Sequence, residues 1–190
     1  MKAIRLFFFL LFTHFSFLAV SQKIDFRNDS LFVNGYFIDG RTSKSTLDSL
    51  LNEKGRLKRI VGKYKPGTLE LSKWSKIIYN KSGLIFTKKD YDSLNLSLSI
   101  KLYKNSNAEI DYTNMPTKTF KGTLFIDSNY MNDKKTVDQL QKLKNCSFSC
   151  KESTISGQSR TIFCNILYRQ REIRGIFDFK TNTMTCIFIY

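Results

Sequence analysis

Two distant segments of this chain present the same order of residue types. Residues 30–51 read SLFVNGYFIDGRTSKSTLDSLL, and residues 123–140 read TLFIDSNYMNDKKTVDQL. Each begins with a short apolar run typical of a strand, continues through a polar turn, and reaches a hydroxyl residue followed by a helix-like pattern. The two copies share no matched nucleophile, carboxylate pair or set of metal ligands. A repeat that preserves only folding signals predicts a duplicated structural unit.

The first copy shows what this unit contains. Asn34-Gly35 favours the type I′ turn of a tight hairpin. Residues 45–54 predict a short amphipathic helix, capped by a hydroxyl group and ended by Gly55. Residues 56–71 have no clear pattern, and we interpret them as a loose stretch with a turn at Pro66-Gly67. Residues 94–103 alternate between apolar and polar side chains, as a half-buried antiparallel strand does.

The second copy predicts the same order and ends in three strands at residues 160–168, 173–179 and 184–190. The predicted fold class is therefore α+β, with two pseudo-repeats that each contain a β-hairpin, a short helix and a three-stranded antiparallel meander. The predicted organisation is a signal peptide at residues 1–21, a first repeat at 22–104, a polar connector at 105–119 and a second repeat at 120–190.

The first residues of the chain have the form of a secretory signal peptide. Lys2 and Arg5 precede an apolar run over residues 6–20, and small residues precede a cleavage site between Ser21 and Gln22. The run is shorter than the roughly 20 apolar residues that a membrane-spanning helix needs. We therefore expect export, cleavage, a periplasmic or extracellular location, and no transmembrane helix in the mature chain.

The mature protein is strongly basic. Loss of Lys2 and Arg5 with the leader lowers the formal net charge from +15 to +13. Such a charge attracts anionic partners. The basic residues are scattered, and the sequence has no signature of a nucleic-acid-binding fold. Together with export, this argues against nucleic acid and favours an envelope protein or another anionic surface.

All four cysteines lie in the last third of the chain. Because we expect export to an oxidising compartment, we interpret them first as disulfide partners. Cys164 and Cys186 lie in predicted outer strands of one meander, roughly 9–10 Å apart, which is beyond the reach of a disulfide. Each is therefore expected to pair, if at all, with Cys146 or Cys150. Free buried thiols and a four-cysteine zinc site are the alternatives that the sequence leaves open.

The sequence excludes most common catalytic sites. The only histidine, His14, lies in the leader, so triads and zinc sites that require histidine are excluded from the mature chain. Carboxylates that could work in pairs, as in glycoside hydrolases, are Asp90, Asp92, Glu109 and Asp111, but solvated charge in loops is the favoured explanation for all four. Residues 127–133 lack the glycine and glutamate of a calcium loop. We expect no enzyme activity, no metal and no cofactor.

The combination of NG, T-L-D-x-L, SGLIF, an alternating strand, FKGTLFID and T-V-D-Q-L resembles an uncharacterised domain family of secreted Bacteroidota-type proteins, over most of residues 30–145. These motifs are structural, and the resemblance implies no activity and no catalytic residues. In outline, the predicted repeat is also similar to tandem modules of β-lactamase inhibitors and outer-membrane assembly lipoproteins, at the level of fold alone.

These observations lead to three functional hypotheses. The first is an exported, non-enzymatic binding module of the cell envelope, whose oligomeric state the sequence does not specify. The second is an inhibitor or immunity-type protein that blocks a secreted enzyme or toxin with the Pro66-Gly67 loop or the cysteine loop. The third is a carbohydrate- or lipid-binding module that uses exposed aromatic residues. The candidates for such contacts are Tyr64, Trp74, Tyr91 and Tyr112.

Overall fold

The computed structural model describes residues 21–64, 71–89, 92–102, 116–132, 134, 141, 146–153, 161–168, 171–178 and 183–190. The first half contains three short strands, one helix and four longer strands: β1 (Lys23–Arg27), β2 (Ser30–Val33), β3 (Tyr36–Ile38), α1 (Lys44–Leu51), β4 (Arg56–Tyr64), β5 (Leu71–Tyr79), β6 (Leu84–Lys89) and β7 (Asp92–Lys101). The second half contains six strands: β8 (Thr123–Ile126), β9 (Asn129–Met131), β10 (Cys146–Ser153), β11 (Thr161–Tyr168), β12 (Arg171–Asp178) and β13 (Met184–Ile189).

The predicted α+β class is wrong, because strands dominate the described chain and both halves of the chain contribute to the same two sheets. The five-stranded sheet has the order β3-β2-β1-β8-β9, and the eight-stranded sheet has the order β10-β11-β12-β13-β7-β6-β5-β4. Each half supplies a four-stranded meander to the larger sheet, where three strands had been predicted. The second predicted helix, at residues 136–140, lies outside the described residues.

Two pairings between the halves build these shared sheets. In the five-stranded sheet, β1 runs parallel to β8, and Ile24 lies beside Leu124. In the eight-stranded sheet, β13 runs antiparallel to β7, and Ile187 lies beside Ile100. Because these four residues are buried, the two halves share one core. Neither half has a sheet of its own.

The predicted hairpin around Asn34-Gly35 is confirmed. β2 pairs with β3, and both turn residues have positive φ values, 51° at Asn34 and 86° at Gly35. Asp127 and Ser128 turn the β8–β9 hairpin in the same way, with φ values of 46° and 66°. The segment 127–133, which lacks the glycine and glutamate of a calcium loop, therefore begins with a hairpin turn.

The two hairpins of the five-stranded sheet are alike in detail. β2 and β8 share one burial pattern, and so do β3 and β9. β2 runs antiparallel to β1 while β8 runs parallel to it, so the hairpins are arranged as they would be about a twofold axis through β1. Duplication of the whole unit stays a prediction, since the second predicted helix is not described.

Helix α1 begins and ends earlier than its sequence predicted. The Ser43 hydroxyl accepts a hydrogen bond from the backbone N–H of Thr46, which makes Ser43 the N-cap. The left-handed conformation that ends the helix belongs to Asn52, with a φ of 49°, rather than to Gly55. Leu47 and Leu51 are buried in the core between the sheets. The helix therefore closes one part of the core beside the β2–β3 hairpin.

The region predicted as a loose stretch, residues 56–71, contains strand β4 instead. β4 pairs with β5 from Arg56 opposite Ile78 to Tyr64 opposite Leu71, with a register shift between Val61 and Tyr64. It forms one edge of the eight-stranded sheet. This strand contains four cationic residues of the candidate binding surface.

Candidate binding surface on strands β4 and β5

A polar network beside the C-terminal end of α1 contains two ionisable groups with strongly shifted pKa values, Asp48 and Tyr79. The Asp48 carboxylate is 7% exposed. It accepts hydrogen bonds from the Tyr79 hydroxyl at 2.9 Å, the Gly55 backbone N–H at 2.9 Å and the Lys44 ammonium at 2.7 Å. Burial alone would raise the pKa of Asp48, but these hydrogen bonds outweigh it and lower the pKa to about 2. Burial and the neighbouring Asp48 carboxylate raise the pKa of Tyr79.

These protonation states make the network a structural one. A carboxylate with a pKa of about 2 is too weak a base to take a proton at neutral pH. The Tyr79 hydroxyl stays protonated and donates to Asp48. The three donors also occupy both carboxylate oxygens. The network therefore fixes α1 against β5, and it offers no general acid or base.

A cavity with a volume of about 760 Å³ adjoins this network. The Glu53 carboxylate on its wall accepts hydrogen bonds from the backbone N–H groups of Lys81 and Ser82 and from the Ser82 hydroxyl. The Gln22 side chain donates to Ser82 Oγ at 2.7 Å and to the Leu51 carbonyl at 3.2 Å. These groups satisfy one another, so they hold the end of α1, the β5–β6 turn and β1 together.

The five-stranded sheet has an outward row of aromatic side chains. From one edge to the other, the cross-strand register places Phe37, Phe32, Asp25, Phe125 and Tyr130 side by side. The rings of Phe32 and Phe37 lie 6.0 Å apart, and those of Phe125 and Tyr130 lie 5.8 Å apart. Such cross-strand pairs stabilise hairpins.

Cations from β1 cover the two inner rings of this row. The Arg27 guanidinium lies 4.8 Å from the Phe32 ring centre, and the Lys23 ammonium lies 5.3 Å from that of Phe125. These cation–π contacts occupy ring faces that a ligand would otherwise stack on. We therefore interpret the aromatic row as a stabilising feature of the sheet.

Strands β4 and β5, which we call the basic strand pair, carry a different kind of surface. They contain six cationic residues and no Asp or Glu: Arg56, Lys58, Arg59, Lys63, Lys73 and Lys76. The four consecutive residues 56–59 are all exposed, although successive side chains of a strand point to opposite faces. Both faces of β4 are therefore accessible at this edge of the sheet.

Apolar side chains lie between these cations. On one face of β4, Leu57 is 46% exposed and Val61 is 65% exposed, with Arg59 between them and Lys73 opposite Val61. On the other face, Lys58 lies opposite Lys76. This pair places two positive charges directly opposite each other on the second face of the strand pair.

The aromatic candidates from the sequence do not form a common site. Trp74 is half-buried in β5, and it lies opposite Ile60 of β4. The Lys89 ammonium lies 5.8 Å from its ring centre. The backbone of Tyr64 ends β4, but its side chain is outside the described part of the chain, as are Tyr91 and Tyr112. Only Trp74 can thus be placed, and it belongs to the basic strand pair.

The other sequence candidates have mixed outcomes. The four candidate carboxylates cannot be placed, because the structure does not describe Asp90, Glu109, Asp111 or the side chain of Asp92. The Pro66-Gly67 loop of the inhibitor hypothesis also lies outside the described residues. Among the described residues, no three His, Cys, Asp or Glu side chains lie together as a metal site would require. Sequence reasoning missed the cations of β4 as a group, because it placed no strand there.

The cysteines follow part of the predicted pattern. Cys150 and Cys164 form a disulfide between directly opposite positions of β10 and β11. Cys164 and Cys186 are separated by strand β12, as expected. Cys164 pairs with Cys150, one of its two expected partners, whereas Cys186 is a free, buried thiol, which is the alternative that the sequence left open. The side chain of Cys146 lies outside the described part of the structure.

This arrangement predicts how the cysteines react. Burial raises the pKa of the Cys186 thiol to about 12, and alkylating reagents attack the thiolate. We expect iodoacetamide to leave Cys186 unmodified in the native protein and to modify it after unfolding. Cys150 and Cys164 should react only after unfolding and reduction. Peptide masses separate these residues, and an adduct on Cys186 in the native protein would contradict the structure.

The comparisons with known proteins give a family and no activity. Residues 23–141 match the model of a family described as a domain of unknown function (DUF7738). The chain belongs to this family. The match confirms the resemblance to an uncharacterised family, whereas secretion and a Bacteroidota source stay predictions. No curated protein and no solved structure matches the chain.

The DUF7738 match includes both hairpins of the five-stranded sheet, helix α1 and strands β4–β7. It ends before β10, so the second meander of the larger sheet lies outside it. The basic strand pair is therefore part of the DUF7738 domain. Within the described residues, no helix has the length and apolar character needed to cross a membrane.

Proposed function

We propose that the protein is an exported, non-enzymatic binding module of the cell envelope, and that it holds an anionic partner on the basic strand pair. One observation carries this proposal. Strands β4 and β5 contain six cations and no carboxylate, and the cationic edge strand is exposed on both faces. Such a concentration of one charge attracts and orients an anionic partner.

Export is supported by the first 21 residues and by the disulfide. The basic start, apolar run and small residues before Gln22 have the form of a cleaved leader. Disulfides persist mainly in oxidising compartments such as the periplasm and the extracellular space, and Cys150 and Cys164 are joined. The envelope or its surroundings are therefore the proposed place of action.

The proposed absence of catalysis has two supports. The sequence after residue 21 contains no histidine. The described ionisable groups with the largest pKa shifts are buried and serve the structure: Asp48 and Tyr79 bond to each other, and Cys186 lies in the core. Saturable turnover of an envelope substrate by the purified mature protein would contradict this part of the proposal.

Cations on an edge strand also have a purely structural explanation. Lysine and arginine at a sheet edge oppose pairing with another chain and so prevent aggregation. The two explanations predict different results when the cations are replaced. If they only protect the edge, neutral variants self-associate but keep any partner. If they form the binding surface, neutral variants lose the partner.

The test is capture of envelope material by the tagged mature protein at low and high salt. The triple variant Arg56→Gln, Arg59→Gln, Lys76→Gln removes three cations from the basic strand pair. The control Lys118→Gln, Lys134→Gln, Lys151→Gln removes three exposed cations elsewhere, so both variants have the same net charge. We expect about tenfold or greater loss of captured material for the first variant only, since each phosphate-facing cation contributes roughly 1 kcal/mol.

The salt series separates charge from specificity, because screening weakens exposed ionic contacts. Equal losses in the two variants would mean that net charge alone attracts the material. No loss in either variant would mean that the partner binds elsewhere. Either result would overturn the assignment of the basic strand pair, and capture of nothing by the wild-type protein would overturn the binding function.

A further inference from the structure

The chemistry of the anionic partner can be specified further, and this step rests on the proposed function. A soluble polyanion would satisfy the cations of the basic strand pair, but it has no apolar surface for the side chains between them. Leu57 and Val61 are 46% and 65% exposed on one face of β4. On the other face, Ile60 and Trp74 lie opposite each other and are half-buried. The partner should therefore offer negative charge and hydrocarbon together.

We propose that the basic strand pair docks on the surface of an anionic phospholipid bilayer. In such a surface, phosphate groups lie directly above the acyl chains. Arg59 lies between Leu57 and Val61 on the same face of β4, with Lys73 opposite Val61, so cations and aliphatic side chains are neighbours on this face. Cations bind the phosphates while the aliphatic side chains enter the boundary with the acyl chains.

The remaining residues of the strand pair fit the same surface. Tryptophan is enriched at the headgroup level of membranes, where its ring is partly apolar and its N–H remains hydrated. Arg56 and Lys76 lie on the face of Trp74 and extend the positive charge around it. Arginine and lysine can bury their aliphatic stems while their charged groups stay at the phosphates. Because β4 is the edge of the sheet, a bilayer that meets this edge contacts side chains from both faces in one docked position.

The experiment is co-sedimentation of the mature protein with phosphatidylcholine vesicles that contain or lack phosphatidylglycerol. We expect binding only to the vesicles with phosphatidylglycerol, weakening as salt rises. Arg56→Gln, Arg59→Gln, Lys76→Gln should lower the apparent affinity by on the order of tenfold to a hundredfold. The charge-matched control at Lys118, Lys134 and Lys151 should bind within about twofold of the wild type, because its charges are outside the docking surface.

The decisive variant removes apolar surface without changing charge. Leu57→Ser, Val61→Ser should lower vesicle affinity by on the order of tenfold, because two exposed aliphatic side chains no longer leave water on docking. Leu167→Ser is the control, since Leu167 is 51% exposed on β11, near the opposite edge of the larger sheet. All three substituted side chains are exposed, so we expect both variants to fold. Thermal unfolding of each variant checks this.

Inorganic polyphosphate separates this inference from the proposed function on which it rests. If the basic strand pair binds polyphosphate but not anionic vesicles, the bilayer is wrong and a soluble anionic partner remains. If Leu57→Ser, Val61→Ser binds vesicles as tightly as the wild type, charge alone explains docking and the inference also fails. If the protein binds neither polyphosphate nor vesicles nor envelope material, the proposed function itself is overturned.

Discussion

Gly83→Ala is expected to destabilise the protein by at least about 3 kcal/mol, or to prevent its accumulation in folded form. Gly83 has a φ of 73°, which residues with a Cβ rarely adopt. A Cβ here would lie 2.7 Å from the Thr119 carbonyl carbon and 2.9 Å from Phe120 Cα. Because these are backbone atoms, no side chain can move to make room. Urea unfolding followed by circular dichroism measures the loss.

The effect of Gly83→Ala should reach both halves of the chain. The Gly83 carbonyl accepts a hydrogen bond from the Lys101 N–H, and the Phe120 N–H donates to the Lys101 carbonyl. The β5–β6 turn is therefore joined directly to the segment that leads into β8. Gly35→Ala is the matched control, because Gly35 also has a positive φ but nothing lies within 4 Å of the added Cβ.

Gly35→Ala should cost only about 1 kcal/mol, which is the conformational strain without the backbone clash. Equal losses in Gly35→Ala and Gly83→Ala would show that the positive φ alone matters at both positions. That result would contradict the close approach of residues 119 and 120 to the turn.

Asp48→Asn is expected to destabilise the protein by about 2 kcal/mol at pH 7. The folded protein lowers the pKa of Asp48 from 3.8 to about 2, and a shift of this size corresponds to about 2 kcal/mol. Because the folded-state pKa is the lower one, this stabilisation is present above pH 5 or so. It is lost as the pH falls through both pKa values, between about pH 5 and pH 1.

The pH dependence distinguishes this mechanism from a general loss of packing. The difference in the free energy of unfolding between the wild type and Asp48→Asn should shrink as the pH falls from 7 to about 2. Urea titrations at several pH values measure it. Glu152→Gln, at an exposed position of β10, should change stability by less than about 0.5 kcal/mol. A difference for Asp48→Asn that stays constant with pH would contradict the charged network.

Local features of the fold could be predicted from sequence because their causes are local. Asn34-Gly35 forms the predicted hairpin turn because both residues tolerate positive φ. The hydroxyl-rich stretch before α1 supplies a cap, although Ser43 holds that position rather than a later residue. Such signals act over a few residues. They are therefore readable without knowledge of the rest of the chain.

The shared sheets could not be predicted in the same way. The parallel pairing of β1 with β8 and the antiparallel pairing of β7 with β13 join residues that are far apart in sequence. The edges of strands present backbone N–H and C=O groups that any other strand can bond, so the sequence does not reveal whether each half closes on itself or joins the other. The choice of disulfide partner also depends on strand pairing, which the sequence does not reveal. The register of β10 against β11 selects Cys150 as the partner of Cys164.

The candidate site was missed because its strand lacks the usual pattern. A strand with one buried face alternates between apolar and polar residues. β4 reads RLKRIVGKY and is exposed on both faces over residues 56–59, so it has no reason to alternate. Trp74 was identified from the sequence as a binding candidate. Its cationic neighbours across the strand pair became apparent only from the register of β4 and β5.

The central claim is that the basic strand pair contacts the anionic partner, and Trp74 can report on it directly. It is the single tryptophan of the chain and lies in β5. The measurement is acrylamide quenching of Trp74 emission, before and after the mature protein binds phosphatidylglycerol vesicles or polyphosphate, with Trp74→Phe as the background. We predict weaker quenching on binding and, with vesicles, a blue shift of the emission. Binding that leaves both the emission and the quenching of Trp74 unchanged would contradict the account.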